Sequence, residues 1–288
     1  MGGSAMPHLS LLEQALLTGV LTGGLYGLLA LGLSLSWGLL RLVNLGHFAM
    51  ALLGAYLTWW LGTSYNVAPW WAGLLVVFVF FFYGVGLHWV FMRFRVTEMA
   101  SMLITFAFAV IVESTIQTIW TADFRRYETA WGSQSWVVGS LYVPKLNTIA
   151  FVVAGALAAA TWAWLRYTYA GRALRACAED PPIATAFGIN HRGLSFLLSG
   201  LCAAFAGVAG VFIALIATLA PSEIWSWIGV VFAVVIIGGL GNPLGALAGG
   251  VLIGVCEAMT MAIVNPSWAP LVSFSVLIAL LLFRPRWI

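Results

Sequence analysis

Charge interrupts this chain so rarely that its uncharged runs decide what it can fold into. No Asp, Glu, Lys or Arg occurs in residues 14–40, 42–92, 146–165, 193–222, 224–256 or 258–283. A helix needs about 20 apolar residues to cross a hydrocarbon core. Several runs therefore hold one crossing, and 42–92 and 224–256 are long enough for two. Strict alternation of apolar and polar residues is absent, which disfavours a transmembrane β-barrel. The backbone must then satisfy its own hydrogen bonds as helices. Charged residues make up only 7% of the 288, against about 25% in a soluble domain, and the mean hydropathy is +1.03. That excludes a cytosolic enzyme, a secreted disulfide scaffold and a disordered chain. A net charge of +3 without a basic cluster excludes a nucleic-acid binder.

Gly, Pro, Asn and charge clusters break the apolar runs. They predict an all-α, polytopic transmembrane bundle, a single domain over 1–288, with spans at roughly 11–38, 46–62, 69–91, 98–120, 146–165, 194–218, 226–240, 243–264 and 269–283. About nine spans result, within a range of eight to ten, the seventh and ninth being short. Basic residues favour the cytoplasmic side. With nine spans, Arg41, Arg93, Arg95, Arg166, Arg172, Arg175, Arg192, Arg284 and Arg286 share one side, and Arg125, Arg126 and Lys145 the other. The first side is expected in the cytoplasm, with the N-terminus outside and the C-terminus inside. Trp59, Trp60, Trp70, Trp71, Trp225, Trp227 and Trp268 fall at the expected outer ends, where aromatic belts sit.

Met1–Ser10 lack the basic n-region of a signal peptide, and Met1–Ala5 read as a leader before a natural start at Met6. Cys177, Cys202 and Cys256 are scattered and odd in number, which suggests packing residues rather than a zinc site or disulfides. No GxxxxGK[ST] loop is present, so the chain does not power itself with ATP. The polar stretches, an outer loop at 121–145 and an inner one at 166–193, are loop-sized.

Two hairpins carry candidate function. Arg41-Leu-Val-Asn44-Leu-Gly46-His47 and Gly238-Gly239-Leu-Gly241-Asn242-Pro243 each join two apolar segments. Paired Gly/Pro-interrupted segments in corresponding places point to a transporter's path. Broken backbone is tolerated at depth only where it lines a cavity or is buried in protein. Asn44, Gly46, His47, Gly238, Gly239, Gly241 and Asn242 are therefore candidate path residues; an ordinary surface turn is the other reading. Small residues at helix-packing spacing, such as Gly23/Gly27, Gly84 with His88, Gly200/Ala204, Ala206/Gly210 and Ala246/Gly250/Gly254, signal close helix contacts and nothing about substrate. Glu113 and Glu257 fall inside spans, as a proton relay, a partner for a substrate ammonium, or structural carboxyls. Within 166–193, Asp180 suits an N-cap, Pro181 the first helical position and Gly188 a left-handed C-terminal residue. The short helix between them carries Ile183, Ala186 and Phe187 on an apolar face suited to a partner protein or to the membrane interface.

Arg175-Ala-Cys-Ala178-Glu179-Asp180 with Ala184 and Gly188-Ile-Asn resembles the cytoplasmic coupling loop of branched-chain amino acid ABC transporter permeases, the LivH/LivM-like inner-membrane subunits. Gly24-Leu-Tyr26-Gly27 through Gly32, then Val43-Asn44-Leu-Gly46-His47 and Gly54-Ala-Tyr56, is similar to that family's first helices. Gly238–Ala246 is similar to its glycine-rich C-terminal signature. Where the family has Phe-Ala before the His and Gly after it, this chain has Leu45-Gly46 and Phe48. The resemblance implies a transport subunit without its own ATPase site, in a bacterial inner membrane. It also implies a paralogous permease partner, two cytoplasmic ATPase subunits that hold the ATP, and a periplasmic binding protein. No cofactor is expected on this chain. Arg175, Ala178, Glu179, Asp180, Ala184, Phe187 and Gly188 become the ATPase-coupling candidates. The expected cargo is a branched-chain or other neutral amino acid. Urea or short amides, or a proton-coupled secondary transporter using Glu113 or Glu257, are the alternatives.

Overall fold

A computed structural model of the chain describes residues 9–129, 131–132, 134–264 and 268–283. In order these form α1 (Leu9–Leu40), α2 (Gly46–Tyr65), α3 (Pro69–Arg93), α4 (Glu98–Trp120), β1 (Ser135–Val138), β2 (Leu141–Pro144), α5 (Lys145–Tyr167), α6 (Tyr169–Glu179), α7 (Pro181–Ala186), α8 (His191–Ile216), α9 (Glu223–Gly238), α10 (Pro243–Ile263) and α11 (Ala269–Phe283). Every expected span corresponds to a helix, with ends shifted by a few residues. Among the described residues, six helices, α1, α3, α4, α5, α8 and α10, are long and apolar enough to cross a membrane. Helices α9 and α11 are shorter, at 16 and 15 residues. Helix α2 is rich in Gly, Ala and Thr, and twelve of its twenty residues are buried. It packs against α8, α4, α3 and α9, so protein rather than lipid surrounds most of it. Met1–Met6 and Arg284 and Arg286 lie outside the described residues.

Two features of the polar stretches go beyond the expectation. Residues 121–145 hold an antiparallel hairpin, with Ser135 opposite Pro144 and Val138 opposite Leu141. Gln14 ties it to α1, donating to the Tyr142 carbonyl and accepting from the Tyr142 amide, both at 2.9 Å. Residues 166–193 hold α6 as well as the expected α7.

Packing follows the logic of a bundle in lipid, where apolar side chains gain nothing by leaving the hydrocarbon and close backbone approach does the joining. Helix α3 turns Trp71, Leu74, Phe78, Phe82 and Trp89 outward. Inward it sets Gly84 beneath Ser199 and Ala203 of α8. The Ser199 hydroxyl donates to the Gly84 carbonyl at 2.9 Å. Helices α1 and α10 meet backbone to backbone through Gly19, Gly23, Gly250 and Gly254; a Cβ on Gly23 would lie 2.5 Å from the Gly250 oxygen.

Helix parity sorts the links onto two ends. One end gathers the α1–α2 link, the α3–α4 link, the α5–α8 stretch with α6 and α7, and the α9–α10 turn. The opposite end gathers residues 66–68, 121–144 and 217–222.

Candidate functional site: two helix breaks and a capped loop helix

The break after α1 begins at Arg41, which stops the helix in a left-handed conformation, φ 54°. Residues 42–45 then cross to α2 with several of their backbone groups caught by neighbours. The Ser36 hydroxyl donates to the Leu42 carbonyl at 3.0 Å. Thr105 of α4 accepts from the Leu45 amide at 3.0 Å, and its hydroxyl, which donates one turn back to the Ser101 carbonyl at 2.8 Å, also lies 3.3 Å from the Val43 carbonyl. Gly46 opens α2 beside Phe108, where an added Cβ would meet the ring at 2.9 Å. His47 is 2% exposed, and its Nε2 lies 3.1 Å from the Leu29 carbonyl of α1. A carbonyl only accepts, so Nε2 carries the proton. The Asn44 side-chain oxygen is buried and has no donor among the described residues.

The second break is built on a different device. Gly239 and Gly241 adopt φ 87° and 73°, a region L side chains avoid, so the tight turn requires glycine at both. Asn242 then caps α10, its side-chain oxygen accepting from the Gly245 amide at 3.1 Å, with Pro243 in the first turn. The turn docks on α1. The Gly241 amide donates to the Ser34 carbonyl at 2.9 Å and to its hydroxyl oxygen at 3.1 Å, and that hydroxyl donates to the Gly239 carbonyl at 3.1 Å. A Cβ on Gly38 would collide with Gly241, and one on Gly238 with Gly245. The broken backbone is thus satisfied by protein rather than left open.

Both breaks therefore meet at one end of α1. Trp37 of α1 lies 5.6 Å from the Phe232 ring of α9, and Phe48 of α2 lies 6.3 Å from the same ring. These aromatics bridge the space between the breaks. Ser34, Ser36 and Thr105 were not signalled by the sequence. Each is one hydroxyl among several in an apolar helix, and the partners that single out Ser34 and Thr105 lie 207 and about 60 residues away in sequence.

The loop helices sit at this same end. Helix α6 buries Ala173, Leu174 and Cys177 on one helical face. Leu174 joins Leu31, Leu35 and Leu39 of α1, Leu165 of α5 and Leu198 of α8 in one apolar cluster. Burial pushes the Cys177 thiol up from its ordinary value. Arg175 and Glu179, on the same helix, face solvent. The Arg41 guanidinium donates to the Ala178 carbonyl at 2.9 Å, joining α6 to the first break.

Helix α7 has both ends closed. The Asp180 carboxylate accepts from the Ile183 amide at 3.1 Å, with Pro181 in the first turn. At the other end Gly188 turns left-handed, φ 79°; its amide reaches the Thr185 carbonyl at 2.9 Å, and the Ile189 amide the Ala184 carbonyl at 3.3 Å. That pair of bonds closes a Schellman end. Ala184 is buried beneath the helix, whereas Ile183 is 56% and Phe187 81% exposed. A helix closed at both ends thus presents two large apolar side chains outward.

The two intramembrane acids tie helices together. Glu257 is buried and accepts from Tyr26 Oη at 2.9 Å and from Ser273 Oγ, linking α10 to α1 and α11. Glu113 accepts from Trp225 Nε1 at 2.9 Å, linking α4 to α9. Among the described residues, no group of His, Cys, Asp and Glu is placed to hold a metal ion.

The family model for the branched-chain amino acid transport system permease component matches residues 15–281. The chain is similar to the high-affinity branched-chain amino acid transport system permease protein LivH of Escherichia coli K12, 27% identical over 96% of this chain and 94% of the relative. It is similar to BraD of Pseudomonas aeruginosa, 26% identical over 98% and 97%. Against a probable LivH of Methanocaldococcus jannaschii the identity is 34% over 40% and 39%. No solved structure matches the chain. The family match runs from the first turns of α1 into α11 and so takes in both breaks and the capped helix. This chain, a multi-pass membrane permease subunit and not an enzyme, belongs to the family of branched-chain amino acid transport permease components.

Proposed function

We propose that the chain is the transmembrane half-channel of an ATP-driven importer for branched-chain or other neutral amino acids. A paralogous permease completes the channel, a periplasmic binding protein delivers cargo, and two ATPase subunits supply the energy. The observation that carries this reading is α7. It is closed at both ends, exposes Ile183 and Phe187, and lies at the same end of the bundle as the two breaks. A short helix with an exposed apolar face suits a groove on a partner protein. The excess of basic residues at this end favours a cytoplasmic location, and the N-terminus then faces outward.

Arg175, Ala178, Glu179, Asp180, Ala184, Phe187 and Gly188 form the handle in this reading. Movement of α7 passes to α6, whose Leu174 is packed against α1 and whose Ala178 carbonyl is held by Arg41. From there it reaches both breaks. Asn44, Gly46, His47, Gly238, Gly239, Gly241 and Asn242 act as the inner gate of the path. Parting the bonds of Gly241 and Gly239 to Ser34 opens the gate, and the Asn44 oxygen is the free acceptor an ammonium group meets there. Alternating access then results from rocking α1 against the α9–α10 turn.

The test is leucine uptake in cells lacking this chain and complemented with the wild type or with Ile183→Asp/Phe187→Asp. The wild type restores uptake. The double variant inserts into the membrane but loses uptake and substrate-stimulated ATP hydrolysis. Undiminished uptake by the variant overturns the coupling role. Uptake of urea rather than leucine overturns the cargo. Full uptake in proteoliposomes holding this chain alone, under a proton gradient, transfers the function to a proton-coupled mechanism.

A further inference from the structure

The end of the bundle opposite α7 carries a cavity with the chemistry of an amino acid. The α4–α5 stretch is fixed there by a backbone pair, the Arg125 amide to the Leu219 carbonyl at 3.0 Å and the reverse at 2.7 Å. The Arg125 guanidinium lies 5.4 Å over the Trp59 ring and donates to the Trp120 carbonyl at 3.2 Å. Tyr127 is laid against Gly62 of α2, and burial raises its phenol above the ordinary value, so it stays neutral. From this anchor exposure alternates along the segment. Arg125, Tyr127 and Thr129 are half-buried, and Arg126 and Glu128 are exposed. That alternation is the period of extended backbone, and it sets a cation and an anion two residues apart on one side.

Arg126 and Glu128 line a cavity of about 310 Å³ together with Thr129, Asn147, Leu146 and Leu215. Neither forms an ion pair with the other or with a third residue among the described residues. The Thr129 hydroxyl oxygen is buried without a hydrogen-bond partner among the described residues. A ligand group entering the cavity would give that hydroxyl a partner. A second cavity of about 200 Å³ adjoins the first across Thr129, Leu146 and Leu215, and adds Pro69 and Trp70 as apolar wall. One compartment is polar with both signs of charge, and the other is apolar.

We propose that this double cavity is an outer receiving site for a free zwitterionic amino acid with an aliphatic side chain. The carboxylate pairs with Arg126, which suits planar two-oxygen recognition. The ammonium pairs with Glu128, and Thr129 and Asn147 supply hydroxyl and amide groups to the same polar end. The aliphatic side chain lies on Leu146 and Leu215 and extends toward Trp70. A site at this end receives cargo before it enters the bundle and is distinct from the inner gate. The inference rests on the amino-acid cargo proposed above, and the following test separates the two.

The full-length chain is reconstituted in nanodiscs, and binding is measured by titration with leucine, with leucinamide, which lacks the carboxylate, and with 4-methylpentanoate, which lacks the ammonium. Leucine is expected to bind and both analogues to bind about tenfold more weakly, because each forgoes one charge-assisted hydrogen bond. Arg126→Ala and Glu128→Gln each lower leucine affinity about tenfold, and Arg126→Lys recovers only part of it, because lysine offers no planar fork. Both residues are exposed, so these variants are expected to fold. A wild-type chain that binds no leucine, or variants that bind it unchanged, overturns the site. Variants that bind leucine normally but lose uptake driven by the binding protein also overturn it, making the segment a docking loop. Leucine uptake by the assembled transporter, measured in parallel, judges the cargo reading independently of where leucine binds.

Discussion

Asp180 is the residue on which the shape of α7, the proposed handle, turns most directly. Its carboxylate takes one of the free amides that every helix start leaves over, and α7 has only six residues with which to hold itself together. Asp180→Ala is expected to remove about 1 kcal/mol of cap stability, whereas Asp180→Asn keeps an acceptor oxygen at the same place. Hydrogen exchange over 181–189 in the assembled transporter reads the difference. The alanine variant exchanges severalfold faster and loses substrate-stimulated ATP hydrolysis, and the asparagine variant behaves like wild type. Equal loss in both makes the charge, not the cap, the active feature. The same side-chain logic recurs at Asn242 before Pro243. The Asp180–Pro181 cap was legible from sequence because polar loop residues surround it. Asn242–Pro243 lies amid glycines in an apolar stretch and read as a path residue, although its visible work is to start α10.

At the scale of elements, glycine spacing decides which helices touch. The repeats at Gly23/Gly27 and Gly250/Gly254 are visible in sequence, but spacing alone does not say that α1 and α10 are each other's partners. Only the fold does, by placing the Gly23 Cα beside the Gly250 carbonyl. Gly23→Leu is expected to force the two helices apart at a cost of about 3 kcal/mol or more. Gly86→Leu is the matched control, since an added Cβ on that face of α3 meets nothing within 4 Å. Thermal unfolding in detergent should show a large drop for Gly23→Leu and little change for Gly86→Leu; equal melting of the two removes α1–α10 contact as the organising interface. Elements the sequence concealed are those with no membrane-scale signal. Every residue of β1 is exposed, so no alternation marks it. Helix α6 is amphipathic over only eleven residues in a charged stretch, and its apolar face becomes recognisable once α1, α5 and α8 supply the surface it covers.

On the scale of the whole molecule, the junction and the double cavity occupy opposite ends, joined by α1, α5 and α8. Arg41 is where the loop helices, α1 and the first break touch at a single side chain. If movement of α7 reaches the breaks through this contact, removing the guanidinium should separate ATP hydrolysis from transport rather than abolish both. Arg41→Gly is the informative variant. The residue sits at φ 54°, where glycine is at ease and other side chains are strained, so the turn persists while the link to the Ala178 carbonyl is lost. The expected outcome is a severalfold fall in leucine moved per ATP hydrolysed, with the chain still inserted and still bound to the proposed ATPase subunits, because α7 keeps both its ends and its exposed Ile183 and Phe187. An unchanged ratio places the transmission elsewhere, through the packing of Leu174 on Leu31, Leu35 and Leu39. In that case Leu174→Ala, which removes that packing while leaving Arg41 in place, becomes the variant that uncouples.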